Sequence, residues 1–306
     1  AHQALGNEEQ AIAALESATH LSQASAEAWQ ALGDAYHAAG RHDQAQRAFH
    51  AAINRRPGFW DPHFSLGTLY HAVADSDGAA TQFRQVARCA PENPDGYNGL
   101  GAILHVLGRL DEAREMYERS IAVDSVSNSW AFSNLGALYY DDARFGNAAD
   151  MFEQALNLDS DDWMLAGNLA YAYHFGGQPE KAEAQFRKAI ELAEAQLQNA
   201  PNDPEILADL AGYQATVGAR EHAHDLLETL IALEPTEPAI LAGIGEAYEM
   251  LEDRDRALEW IAKAIDAGHP LRRFESKLSM RDLVDDERYR RLVAPTSNGA
   301  GVATSE

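Results

Sequence analysis

The sequence predicts an all-α chain organised as a solenoid of helix-turn-helix repeats, and three observations carry that prediction. One pattern of apolar and small residues recurs at close to 34 residues through most of the 306-residue chain, the sign of an array of like units. Within each copy the apolar positions fall at helical spacing in two stretches of about a dozen residues, split by a turn often marked by glycine. Nothing competes with this organisation. The single cysteine gives no disulfide framework and no thiol zinc cluster, and no window holds 18 consecutive apolar residues. One hairpin cannot bury both its faces, so the units must stack on one another.

The copies follow in order. Residues 26–59 carry the pattern as Trp29, Leu32, Gly33, Tyr36, Gly40, Ala45, Phe49, Ala52 and Pro57. Residues 60–93 repeat it with Leu66, Gly67, Tyr70, Ala79, Phe83 and Pro91, and residues 94–127 with Tyr97, Leu100, Gly101, Gly108, Ala113 and Tyr117. After a one-residue insertion, 129–162 gives Phe132, Leu135, Gly136, Tyr139, Ala148, Phe152 and Ala155. Then 163–196 gives Leu169, Tyr173, Gly177, Ala182, Phe186 and Ala189. A seven-residue insertion, 197–203, precedes 204–237 with Leu210, Gly218, Ala223, Leu227, Leu230 and Pro235, and 238–271 closes the series with Leu241, Ile244, Gly245, Tyr248, Ala257, Ile261 and Ala264. Glycine inside a helix costs about 1 kcal/mol relative to alanine. Gly33, Gly67, Gly101, Gly136 and Gly245 therefore predict close approach of the paired helices, with Ala45, Ala79, Ala113, Ala148, Ala182, Ala223 and Ala257 as the small facing residues. Pro57, Pro91 and Pro235 close the second helix.

The ends depart from the pattern. Residues 1–25 read as the second half of an earlier copy, with Gly6 at the turn before Ala11, Leu15 and Ala18, which predicts that the natural chain extends upstream. The insertion follows Glu191-Leu192-Ala193-Glu194-Ala195-Gln196-Leu197, all helix formers, so the second helix of the fifth copy is expected to run two turns further, to 203, as a projecting ridge. Residues 272–294 keep apolar points at Phe274, Leu278, Leu283, Tyr289 and Leu292 among seven basic residues, which suits a terminal cap. Residues 295–306 read as a flexible tail.

These residues resemble the tetratricopeptide repeat, over residues 26–271. The resemblance implies a right-handed superhelix with a concave groove lined by repeat positions 2, 5, 6, 9, 12 and 13 of each first helix, which holds an extended peptide or a partner helix. Position 12 reads His37, His71, His105, Tyr140, His174, Ala215 and Glu249, so four of the twelve histidines fall there. Two readings stay open: imidazoles packing across the groove in place of tyrosine, or a hydrogen-bonding ladder titrating between pH 5 and 8. Adjacent helices pack roughly 8–10 Å apart, too far for these rings to converge on one ion, so no metal is expected. Glu27, Asp34, Asp61, Asp95, Asp141, Glu205, Asp209, Glu246 and Glu249 occupy further groove positions, and no lysine or arginine does. That sign predicts a basic or amphipathic ligand. Members that clamp a carboxylate tail use basic residues at positions 2, 5 or 6 with asparagines at 6 and 9; here only Asn134 and Asn168 match, so that ligand is not expected. Asn134, Asn168, Tyr171, Phe64, Trp130 and Phe175 are expected to meet peptide backbone or side chains.

Other motifs carry little chemistry. Gly243-Ile244-Gly245 falls inside a helix pattern rather than after a strand, and His222-Ala223-His224 diverges around a helix. Asp75-Ser76-Asp77-Gly78 is turn chemistry, Asp285-Asp286-Glu287 a solvated helix face, and Cys89 a small buried hydrophobe. No nucleophile, base and orienting group assemble, so no enzyme and no cofactor are expected. Lys and Arg total 24 against 48 Asp and Glu, a net charge of −24, which disfavours nucleic acid and anionic membrane surfaces. The expected role is a non-enzymatic scaffold binding a protein or peptide. The alternatives are a subunit self-associating through open solenoid ends, or the regulatory part of a longer bacterial signalling enzyme, since the later copies resemble the C-terminal repeats of bacterial serine/threonine kinases and nucleotide cyclases. Composition leaves the compartment open, with cytoplasm as the default and periplasm or exterior following from an upstream signal.

Overall fold

The computed structural model describes residues 2–20, 24–275 and 277–294; the tail expected at 295–306 lies outside them. The chain divides into two compact units, residues 1–138 and 139–306. The first holds α1 (His2–Thr19), α2 (Ala26–Ala38), α3 (His42–Arg55), α4 (Trp60–Ala72), α5 (Ser76–Cys89), α6 (Pro94–Val106), α7 (Leu110–Val123) and the start of α8 (Ser129–Asp141). The second holds the end of α8, then α9 (Phe145–Leu158), α10 (Trp163–Phe175), α11 (Pro179–Asn199), α12 (Pro204–Thr216), α13 (Arg220–Ala232), α14 (Pro238–Met250) and α15 (Arg254–Asp266). Four short elements end it: α16 (Leu271–Glu275), a 3₁₀ turn (Leu278–Met280), α17 (Arg281–Val284) and α18 (Glu287–Val293). Each unit is a stack of paired helices. Among the described residues no helix is long and apolar enough to cross a membrane.

Local chemistry sets the helix limits. Pro94, Pro179, Pro204 and Pro238 occupy first turns, where the missing N–H leaves no helical bond unmade. Asp75, Asp162, Asp203 and Asp253 accept backbone N–H groups at helix starts. The hairpin turn repeats one device, a left-handed residue followed by an N–H that reaches back five residues to the first helix, as in Arg41 to Tyr36 (2.8 Å) and Asp253 to Tyr248 (2.9 Å). Gly40, Gly108, Gly177 and Gly218 supply the positive φ, but Ala74 (61°), Ala143 (56°) and Glu252 (61°) adopt it too.

The structure corrects four expectations. Three of the glycines inside the first helices face rings rather than alanines: a Cβ at Gly33, Gly67 or Gly101 would strike Phe49, Phe83 or Tyr117, while one at Gly245 would meet the Ile261 side chain and the Ala257 carbonyl. The hairpin therefore closes by seating a large side chain of the second helix in a notch of the first, while Ala45, Ala79 and Ala113, each at 0% exposure, fill the remaining space. Residue 6 forms no turn, because α1 is one helix through Gly6. The long helix of the fifth copy is 21 residues and ends at Asn199. It is more than a ridge: Ala193 and Leu197 pack with Trp163, Ile206, Leu210 and Leu226 into a core of their own. Lastly, Asp286 belongs to no merely solvated face; it caps α18 and pairs with Arg254 (3.3 Å) and Arg288 (3.0 Å). After α15, Phe274, Met280, Leu283 and Tyr289 are at most 1% exposed against α12–α15, while Leu292 stays exposed.

Candidate functional site

The first-helix face of the N-terminal unit carries polar pairs and one bare ring. Gln30 Nε2 donates to both Asp34 carboxylate oxygens (3.0 and 3.1 Å) and to Ser65 Oγ (2.9 Å), and Ser65 Oγ also donates to Asp34 (3.2 Å). Burial raises the Asp34 pKa and the charge of half-buried Asp61 adds to it; burial alone raises that of Asp95. Asn134 Nδ2 donates to Asn98 Oδ1 at 3.0 Å. Phe64 is half-buried, edge-on to Phe83 at 5.7 Å, so it serves packing first. Trp130 is 72% exposed. Of the position-12 histidines here, His37 tilts against His42 (5.7 Å), His71 is exposed and His105 half-buried.

The C-terminal unit presents a continuous line of rings. Tyr140 meets Phe145 (5.4 Å) and Phe175 (6.0 Å), Tyr171 stacks on Phe175 (6.4 Å), and Tyr171 reaches Phe186 (5.0 Å) and Tyr213 (6.0 Å). His174 sits edge-on to Phe175 (4.9 Å) and Phe186 (6.3 Å), and burial lowers its pKa. Beyond the rings, Thr216 Oγ1 donates to Met250 Sδ at 3.1 Å. Gly167 makes this line possible, since a Cβ there would collide with the Tyr213 hydroxyl. Burial pushes the phenols of Tyr140, Tyr171 and Tyr213 far above their ordinary range, so all three stay neutral.

Carboxylates border the rings. Asp209 accepts from Trp163 Nε1 at 3.1 Å. Burial pushes its pKa up to about 6; the indole bond lowers it, the charges of Glu205 and Asp162 raise it, and Lys277 lowers it. Glu246 accepts from Lys277 Nζ with both oxygens at 2.7 Å. Asn168 and Asp141 are exposed on the same helices.

Cations reach this face from outside the repeat positions that line it. Although the face positions hold no lysine or arginine, cations arrive from elsewhere: Arg56 pairs with Glu27 (2.6 Å), Lys277 with Glu246, and Arg254 with Glu249. Lys277 was hidden from repeat reasoning because it lies beyond the last copy. Phe145, Trp163, Phe186 and Tyr213 were missed because a helical period assigns them to core alone; the one signal was Gly167 at position 5 one copy before a tyrosine at position 10. Cys89, expected to be buried, is only half-buried, its Sγ 3.8 Å from the Pro57 carbonyl. Among the described residues no three metal-ligating side chains converge.

Three family profiles, each described as tetratricopeptide repeat, match residues 3–66, 95–161 and 165–196. A comparison with curated protein sequences finds no significant match. Among solved structures, MamA is similar at 21% identity and TM-score 0.50, over 55% of this chain and 97% of that one. The Cut9 and Hcn1 hetero-tetramer of the APC/C is similar at 19% identity and TM-score 0.62, over 81% of this chain and 46% of that one. PilW, a type IV pilus biogenesis factor, is similar at 20% identity and TM-score 0.57, over 69% and 94%. At such identities the likeness shows the fold.

Proposed function

The chain is a tetratricopeptide-repeat protein, and from that premise we propose that its first-helix faces hold a basic or amphipathic segment of a partner polypeptide. Proteins of this kind are in general protein-interaction scaffolds, and this one acts by binding rather than by chemistry. One observation carries the ligand's character: Asp209 is a largely buried carboxylate beside an aromatic line, its hydrogen-bond donor among the described residues is a neutral indole, and burial with the charges of Glu205 and Asp162 works against its ionisation while the Lys277 charge favours it. A lysine or arginine delivered there by a ligand relieves that repulsion, and apolar side chains on the ligand's other face meet the rings. In the N-terminal unit, the exposed Asp34 and Asp95, each with a raised pKa, and the exposed Trp130 offer the same two kinds of group. Because the rings and carboxylates are already fixed by packing, binding orders the ligand more than the scaffold.

The test compares two fluorescein-labelled peptides of one pattern, lysine alternating with leucine and glutamate alternating with leucine, by anisotropy at several salt concentrations. The lysine peptide binds, weakening as salt rises, and quenches tryptophan fluorescence less in W130F than in the wild type; the glutamate peptide does not bind. Equal binding of both peptides, or of neither, refutes the reading.

A further inference from the structure

Lys277 is placed unlike Lys181 and Lys263. The sequence has four, Lys181, Lys188, Lys263 and Lys277, among 24 basic residues. Lys263 pairs with Glu259 one turn back on its own helix and Lys181 lies over the Tyr173 ring within its own hairpin. Lys277, just before the 3₁₀ turn, instead reaches back 31 residues to α14, where its ammonium sits 2.7 Å from both oxygens of Glu246. That carboxylate is at position 9 of the last repeat, with its side chain 16% exposed against 39% for Lys277. Its charge is felt by the Tyr140 and Tyr171 phenols, and the Lys277 charge is felt by Asp209. His269 and Arg273 complete the charged surroundings of the pair.

The contact is dispensable for holding the terminal segment. Phe274, Met280, Leu283 and Tyr289 are buried in the core of the unit, and Arg254 binds the Asp282 carbonyl (3.1 Å) and the Asp286 carboxylate (3.3 Å). A partly exposed ion pair adds little to that anchorage. What the pair does is satisfy the end of the ligand face with a primary ammonium, the group that a basic ligand would bring.

We propose that Glu246 is a lysine-recognising subsite at the end of this face and that the chain's own Lys277 occupies it in place of a partner's lysine. The inference rests on the reading that the face takes basic segments, and it assigns to the terminal segment a competing role. A ligand must displace Lys277, so its apparent affinity falls by the fraction of time the subsite is free.

Binding of the fluorescein-labelled lysine and leucine peptide is measured on the full chain as wild type, K277Q, K277R, E246Q and the K277Q/E246Q pair, with melting temperatures as a fold control. K277Q binds about five-fold tighter, a gain set by an ammonium that holds the subsite most of the time; K277R matches wild type, and E246Q abolishes the gain. In parallel, the reductively methylated wild type gives a Lys277 dimethylammonium NMR signal that moves toward that of free lysine as peptide is added, a readout that needs no variant to fold. If the peptide binds wild type and K277Q equally, or the Lys277 signal stays fixed at saturation, the displacement idea is overturned and the basic-ligand reading survives. If the peptide binds no form, the basic-ligand reading falls and takes this proposal with it.

Discussion

Replacing Asp209 with asparagine stabilises the protein at neutral pH, and does so in a pH-dependent way. The folded state holds this carboxyl at about 6, roughly two pH units above an ordinary aspartate. At about 1.4 kcal/mol per pH unit, ionisation there costs the native state about 3 kcal/mol, an upper figure. The sign follows from proton binding. Because the folded pKa is raised, the native state binds the proton more tightly than the unfolded chain. Stability from this group is fully present below about pH 4 and lost as pH rises through about 6. Asparagine keeps an oxygen for the Trp163 N–H, and the value of about 6 already includes what that bond does for the charged form. D209N should therefore gain about 2–3 kcal/mol at pH 7.5, and the gain should vanish below about pH 4. Urea unfolding of both forms, followed by circular dichroism across that range, measures it. A difference between them that does not change with pH would refute the reasoning, as would a less stable variant at pH 7.5.

Other perturbations follow from the same geometry. Ala74→Gly and Ala143→Gly, at φ of 61° and 56°, relieve left-handed alanines and should each raise stability by up to about 1 kcal/mol. Gly101→Ala places a Cβ 2.7 Å from Tyr117 Cε1; overpacking of about 1–3 kcal/mol exceeds the helix-propensity gain of about 1, so the melting temperature should fall. Tyr289→Phe removes a hydroxyl that is buried without a partner, and is expected to be neutral or stabilising by about 1 kcal/mol in thermal unfolding.

The repeat was legible because its signal is periodic. Seven copies of a two-helix pattern place every helix pair without reference to long-range contacts, and the alternation of small and large residues marks which faces meet. The partner of each small residue was less legible: Gly33 and Phe49 are 16 positions apart, and sequence does not say that the ring, rather than Ala45, fills the notch. The turns were half legible, since glycine announces a positive φ but Ala74, Ala143 and Glu252 adopt it under tertiary constraint. For the site, Asp209, Glu246, Tyr140 and Tyr171 were named from their repeat positions. Their environments were not, because Trp163 lies 46 residues from Asp209 and Lys277 31 from Glu246, separations at which spacing carries no information.

The extended α11 has a consequence for how such arrays can grow. It exceeds α9, at 14 residues, by seven, close to two complete turns, so the addition rotates the helix by only about 20°. The buried stripe of Ala182, Phe186, Ala189 and Ala193 therefore continues in phase into the added length. It builds fresh wall beside Trp163, the indole that holds Asp209. Extensions in whole pairs of turns are the natural quantum by which a hairpin can deepen without re-aiming its neighbours, and splicing seven residues into α3 or α5 would graft a matching buttress elsewhere, whereas six or eight would swing the new stripe into water.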